Sequence, residues 1–177
     1  MALSIFQQAW FAVHVKRRSE RNVAVILENK GYVQFLPTRP GRSDRSAHGA
    51  DQPLFPGYVF CRFDSSVRGP IVTTPGVIRI VGFGDGPAAI PDAEIEAIQM
   101  IGKSGLPVEP HPYVQNGDRV RISDGPLRGL EGKVIAVEQK NLFVVSVTLL
   151  QRSVAVEVSP HSLIRLDSLA GSCIRGL

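Results

Sequence analysis

53-PLFPGYVF-60 places Leu54, Phe55, Tyr58, Val59 and Phe60 around a Pro-Gly break, and Phe63 follows three residues later. Of the eight Phe, three Tyr and one Trp in the chain, four lie between 55 and 63. Pro-Gly marks a turn, so a new element starts at Tyr58. The run 58-YVFCRF-63 reads as a strand. Side chains alternate along a strand, so Phe60 shares a face with Tyr58, and Phe63 shares the other with Cys61. One of these faces must meet the helices of a core. Phe63 is expected to be plain core, and the assignment of Phe55, Tyr58 and Phe60 stays open at this point.

Upstream of this strand, 9-AWFAVHV-15 also alternates, with Phe11, Val13 and Val15 on one side and Trp10, Ala12 and His14 on the other. A helix is predicted across 19-SERNVAVILENKG-31. Ser19 suits its start and Gly31 its end, and Val23, Ile26, Leu27 and Lys30 follow a helical face. Next, 32-YVQFL-36 reads as a strand, and 37–53, rich in Pro, Arg, Asp and Ser, as a surface loop. Downstream come a short helical stretch across Ser65–Thr73, a turn at Thr74-Pro75-Gly76, and the strand 77-VIRIV-81. The last element of this half is a helix across 91-PDAEIEAIQMIG-102, with Ile95, Ile98 and Ile101 as its apolar stripe. Up to residue 81 the order matches a split βαβ arrangement, an antiparallel sheet with helices on one face.

The pattern then changes. Residues 103-KSGLPVEPHPY-113 hold three Pro and little to bury, which reads as a stiff linker. Beyond 114 no helical period survives. Five short segments, 118–123, 132–138, 142–150, 153–158 and 162–166, read as strands of a small barrel. The β-branched alternation of 142-LFVVSVTLL-150 and 153-SVAVEV-158 favours strands over a helical hairpin. The fold class expected is α+β: an N-terminal split-βαβ-like antiparallel sheet with helices, followed by a small SH3-like β-barrel. The boundaries expected are 5–105, a linker at 106–113, a barrel at 114–167 and a patternless tail at 168–177.

Composition narrows the function. The formal charge is +4, and residues 1–52 carry eight Lys/Arg against four Asp/Glu. The excess sits in 16-KRRSER-21 and in Arg39, Arg42 and Arg45, a patch suited to a solvated face or to a nucleic-acid backbone. No apolar run is long enough to span a bilayer, and the N-terminus lacks the pattern of a secretion signal. Cys61 and Cys173 have no ligand-spaced neighbours, so no metal is expected, and two lone cysteines suit a reducing cytoplasm. His14, His48, His111 and His161 are scattered, and 82-GFGDGP-87 lacks the Lys-Ser/Thr of a phosphate loop. No catalytic residue and no cofactor are expected, and the chain is read as a non-enzyme.

Two sets of residues carry a family resemblance. 117-GDRVRISDGPLRGLEGKVIAVE-138, with glycines at 117, 125, 129 and 132, resembles the KOW motif. 10-WFAVHVKRRSERNV-23, 54-LFPGYVFCRF-63 and 73-TTPGVIRIVGFGDGPAAIPDAEI-95 resemble, in order and spacing, the N-terminal domain of the NusG/RfaH/Spt5 family of transcription elongation factors. The resemblance covers nearly all of 9–166.

It implies a factor that binds the elongating RNA polymerase, docking on the coiled-coil clamp helices and suppressing pausing or termination. The barrel would recruit other partners, which in the family include Rho or a ribosomal protein. By resemblance, Phe55 and Tyr58 fall on the polymerase-binding patch, with Phe11 lining it. Thr73 and Thr74 are carried over to the far side of the polymerase cleft, or they simply cap the preceding helical turn or set the turn before Gly76. Lys16 and Arg17, with Arg18 and Arg21 nearby, match positions that meet the non-template DNA strand. The brevity of 82-GFGDGPAAIPDAEI-95 resembles specialised RfaH-like antiterminators. The alternatives are a housekeeping NusG or a KOW-containing ribosomal or RNA-binding protein.

Overall fold

The computed structural model describes residues 8–41, 51–84, 86–137 and 140–166. Arg42, Arg45, His48, Cys173 and the tail expected at 168–177 lie outside the described residues. The elements run β1 (Ala9–Val15), α1 (Glu20–Asn29), β2 (Val33–Phe35), β3 (Thr38–Arg39), β4 (Gln52–Pro53) and β5 (Tyr58–Phe63). Then come α2 (Gly69–Val72), β6 (Val77–Ile80), β7 (Gly82–Phe83), β8 (Gly86–Pro87) and α3 (Asp92–Lys103). The last part holds β9 (Val108–Pro112), β10 (Asp118–Ile122), β11 (Glu131–Val137), β12 (Lys140–Val147), β13 (Arg152–Glu157) and β14 (Leu163–Arg165).

The N-terminal sheet has the order β2-β5-β1-β6, with antiparallel pairing throughout. β1 and β5 are central, and Phe11 lies opposite Cys61, and His14 opposite Tyr58. Both faces of these strands are buried. On one face Phe11, Val13, Val15, Val59, Cys61 and Phe63 pack against Val23, Ala24 and Leu27 of α1 and Ile71 of α2. On the other, Trp10, Ala12 and Phe60 pack against Ile95, Ile98 and Ile101 of α3. Phe63 is therefore core, its ring 4.4 Å from that of Phe11. Helix α3 passes Gly102, the expected stop, by one residue and ends at Lys103, and the hydroxyl of the next residue, Ser104, donates to the Ile101 carbonyl at 2.6 Å. Ser19 stands at the start of α1 but its side chain makes no capping bond.

The C-terminal strands form a six-stranded antiparallel sheet, β14-β10-β11-β12-β13-β9, the SH3-like barrel. Gly132 sits where a side chain does not fit. A Cβ on Gly132 would lie 2.6 Å from Cζ of Phe143. The sixth strand is a correction to the sequence reading. Val108–Pro112, expected within the linker, pairs with β13 along its length, from Val156 opposite Val108 to Arg152 opposite Pro112. Proline lacks an N–H and is tolerated only at a sheet edge, and β9 is an edge strand.

Candidate docking face

The Pro-Gly break is a type II β-turn. The Tyr58 N–H donates to the Phe55 carbonyl at 3.1 Å, Pro56 takes the second position, and Gly57 takes the third with φ +87. The turn delivers Phe55 and Tyr58 to the α3 side of the sheet. Phe55 is buried and meets Phe60 edge-on at 5.5 Å, and Phe60 stacks with Phe35 at 6.1 Å. Tyr58 is half-buried and stacks on His14 at 5.2 Å.

This face is closed over by the C-terminal sheet. One apolar cluster runs from Trp10, Phe55 and Phe60 through α3 to Phe143, Val145 and Val147 of β12 and Val154 of β13. Polar contacts rim it. The Arg152 guanidinium lies over the Tyr58 ring, 5.2 Å from its centre, and donates to the Pro56 carbonyl at 3.4 Å. The Glu94 carboxylate of α3 accepts from the Thr148 hydroxyl at 2.9 Å and the Thr148 N–H at 3.2 Å. Arg39 pairs with Glu109 of β9. An open cavity of about 280 Å³ remains along the seam between Ala93, Glu94 and Ala97 of α3 and Lys133, Ser146 and Thr148 of the barrel.

Phe11 does not join this face. It sits on the opposite side of the sheet, buried against Phe63 and α1, because its neighbours Trp10 and Ala12 take the α3 side. Thr73 and Thr74 are also elsewhere, at the end of α2 beside the edge strand β6. The Thr73 hydroxyl donates to the Gly69 carbonyl at 3.0 Å. Thr74 is buried, donates to the Pro70 carbonyl at 2.9 Å and accepts from Lys30 Nζ at 2.8 Å. Both hydroxyls bond back to carbonyls of α2, and only the Thr74 carbonyl, accepting from the Val77 N–H at 3.0 Å, spans the turn at Gly76.

The basic residues form a separate feature. Lys16 to Ser19 make a tight turn, with Ser19 N–H donating to the Lys16 carbonyl at 3.0 Å and Arg18 in the left-handed region at φ 68. Lys16, Arg17 and Arg18 are exposed and form no ion pair among the described residues. Arg21 is exposed too, but it is engaged by Asp51, with an ion pair at 3.7 Å.

Sequence reasoning missed Arg152, Glu94, Thr148 and His14. For the first three no local signal exists, since each acts across a long separation in the chain. His14 was legible, because the alternation of β1 puts it on the face of Trp10. Cys61 is deeply buried, and that burial pushes its thiol up to about 12. No group of three or more His, Cys, Asp or Glu side chains among the described residues is arranged to hold a metal. No helix among them is long and apolar enough to cross a membrane.

Comparison with known proteins agrees with this architecture. The profile described as "Transcription termination factor nusG" matches residues 8–99, and the KOW motif matches 116–149. The transcription termination/antitermination protein NusG of Pseudomonas aeruginosa is 29% identical over 171 residues, covering 84% of this chain and 93% of that protein. The same-named protein of Escherichia coli K12 is 31% identical over 118 residues, covering 62% of this chain and 63% of its own length. A solved structure, "Domain interaction in Thermotoga maritima NusG", aligns with a TM-score of 0.56 at 20% identity, over 91% of this chain and 98% of that one. At that identity the likeness concerns the fold alone. The sheet and helices of one half and the glycine-cornered barrel of the other are thus explained together: the chain belongs to the NusG family of transcription termination and antitermination factors.

Proposed function

We propose that this protein binds elongating RNA polymerase through the face bearing Phe55 and Tyr58, and that it suppresses pausing or termination without any enzymatic step. One observation carries the reading: an aromatic face at a rigid turn is closed off by the chain's own barrel through a few polar contacts. An apolar cluster of this kind accepts the apolar side chains of a helical hairpin, such as the coiled-coil clamp helices of the polymerase. In the closed form Arg152 and Glu94 keep the barrel over it. Binding therefore requires the barrel to move aside, after which its own surface is free for a second partner, Rho or a ribosomal protein.

The short β7–β8 hairpin supports a specialised, RfaH-like factor working in the cytoplasm. Among the residues singled out for the non-template DNA strand, Lys16, Arg17 and Arg18 form an exposed cationic surface, whereas Arg21 is paired with Asp51. Retention of the full chain on purified RNA polymerase, set against retention on ribosomes, tests the main reading. Polymerase is expected to hold it, and the Tyr58→Ala variant should be retained at least tenfold less. Capture by ribosomes alone, or undiminished polymerase binding by Tyr58→Ala, refutes it. Binding to a scaffold with an exposed non-template strand should weaken steeply with salt. Salt-independent binding would remove the DNA contact.

A further inference from the structure

Glu20 is a buried carboxylate in the first turn of α1, only 5% exposed. An isolated buried charge is costly, so such a group is held by hydrogen bonds and dipoles. The positive end of the helix supplies one part of that support. The other part comes from far along the chain: the Gly57 N–H donates to Glu20 Oε1 at 2.9 Å. Gly57 is held from its other side as well, its carbonyl accepting from the Val15 N–H at 2.8 Å.

The bond to Glu20 has a specific geometric effect. In a type II turn the central peptide stands rotated by roughly half a turn relative to type I, and the third residue needs positive φ. Here that peptide joins Pro56 to Gly57. Its N–H is fixed by Glu20 and its carbonyl points to Arg152. Rotating it would withdraw the N–H from Glu20, turn the Pro56 carbonyl away from Arg152, and unfasten the turn that joins Phe55 to Tyr58. The carboxylate thus selects one of two turn states from behind the docking face.

We propose that Glu20 is the positioning residue of this face, locking the Pro56–Gly57 peptide so that Phe55 and Tyr58 are presented together. This rests on the docking reading above. The test uses the full chain with core RNA polymerase, and reads both polymerase affinity and the hydrogen-exchange rate of the Gly57 amide by NMR. Glu20→Ala is expected to speed Gly57 exchange and to weaken polymerase binding by about tenfold each, the scale of one lost buried hydrogen bond. Glu20→Gln keeps an acceptor oxygen and should stay within about threefold of the parent in both.

Gly57→Ala provides an independent variant that leaves α1 untouched. Its Cβ would meet nothing closer than 3.8 Å, so its effect is that of the positive φ alone, and it should mimic Glu20→Ala. Polymerase binding by Glu20→Ala or Gly57→Ala at the parent's affinity overturns the inference, as does a loss in Glu20→Gln equal to that in Glu20→Ala. If Tyr58→Ala binds normally, the docking reading itself has failed. If only the Glu20 and Gly57 variants bind normally, the positioning role alone has failed.

Discussion

Replacing Arg152 with Ala should open the molecule. In the closed form its guanidinium makes one cation–π contact, 5.2 Å from the centre of Tyr58, and one long hydrogen bond, 3.4 Å to the Pro56 carbonyl. Arg152 is exposed, so the first contributes about 0.5–1 kcal/mol. The second sits at the weak end of the hydrogen-bond range, about 0.5 kcal/mol. Their loss costs closure roughly 1–1.5 kcal/mol, which raises the ratio of open to closed molecules about five- to twelvefold. Adding Glu94→Ala removes both bonds to Thr148, roughly another 1 kcal/mol. The apparent affinity of a covered site scales with the fraction of molecules that expose it. Polymerase binding should therefore strengthen by the same factors until the open form dominates. A fluorophore pair with one label on each sheet reads the opening, and titration with polymerase reads the affinity. Unchanged energy transfer in the double variant, or binding that weakens while the barrel separates, would refute the reasoning.

Phe63→Ala should cost about 3–5 kcal/mol of stability in denaturant titration, because its ring is fully buried against Phe11. A loss of under 1 kcal/mol would contradict its place in the core. Gly132→Ala should destabilise the barrel by about 1–3 kcal/mol, since its Cβ would lie 2.6 Å from the Phe143 ring and 2.9 Å from the Val144 carbonyl. A thermal transition unchanged by this substitution would disprove the close approach. Cys61 makes stability pH-dependent in the alkaline range. Its thiol ionises near 9.0 when free and about 12 when folded, so burial stabilises fully below pH 9 and the effect is lost as pH rises toward 12. The slope is about 1.4 kcal/mol per pH unit above 9. It should vanish in Cys61→Ala, and its persistence there would assign it to another group.

Most elements were legible because their signals are local. Alternation located β1 and β5, Gly31 marked the end of α1, and the isoleucine stripe located α3. Alternation even divided Phe63 from Phe60. It could not say which face would be covered by what, because that depends on contacts between distant segments. Phe11 shows this: its strand was read well, but the resemblance that grouped it with Phe55 and Tyr58 could not show that it faces the other side of the sheet. The prolines at 107, 110 and 112 misled for a related reason. Proline density reads as linker, and only the long-range partner β13 turns that run into a strand. Glu20 carries no local signal of its role, since nothing near it in sequence announces Gly57.

The pairing of β9 also sets the length of a leash. While it holds, the chain between Lys103 and the barrel is only 104–107, with a reach of roughly 18 Å. A two-helix hairpin is about 20 Å across, so a barrel on that leash stays in the way of one. If β9 peels from β13, the free segment runs to Asp118, and its maximum reach grows to roughly 45–50 Å. Pro110 and Pro112 have no N–H to give to the sheet, so this edge strand has fewer bonds to break than its length implies. A longer leash lowers the effective concentration of the barrel at the aromatic face. Strand pairing and domain closure therefore reinforce each other, and a ligand that favours either state of β9 acts on the aromatic face from a distance.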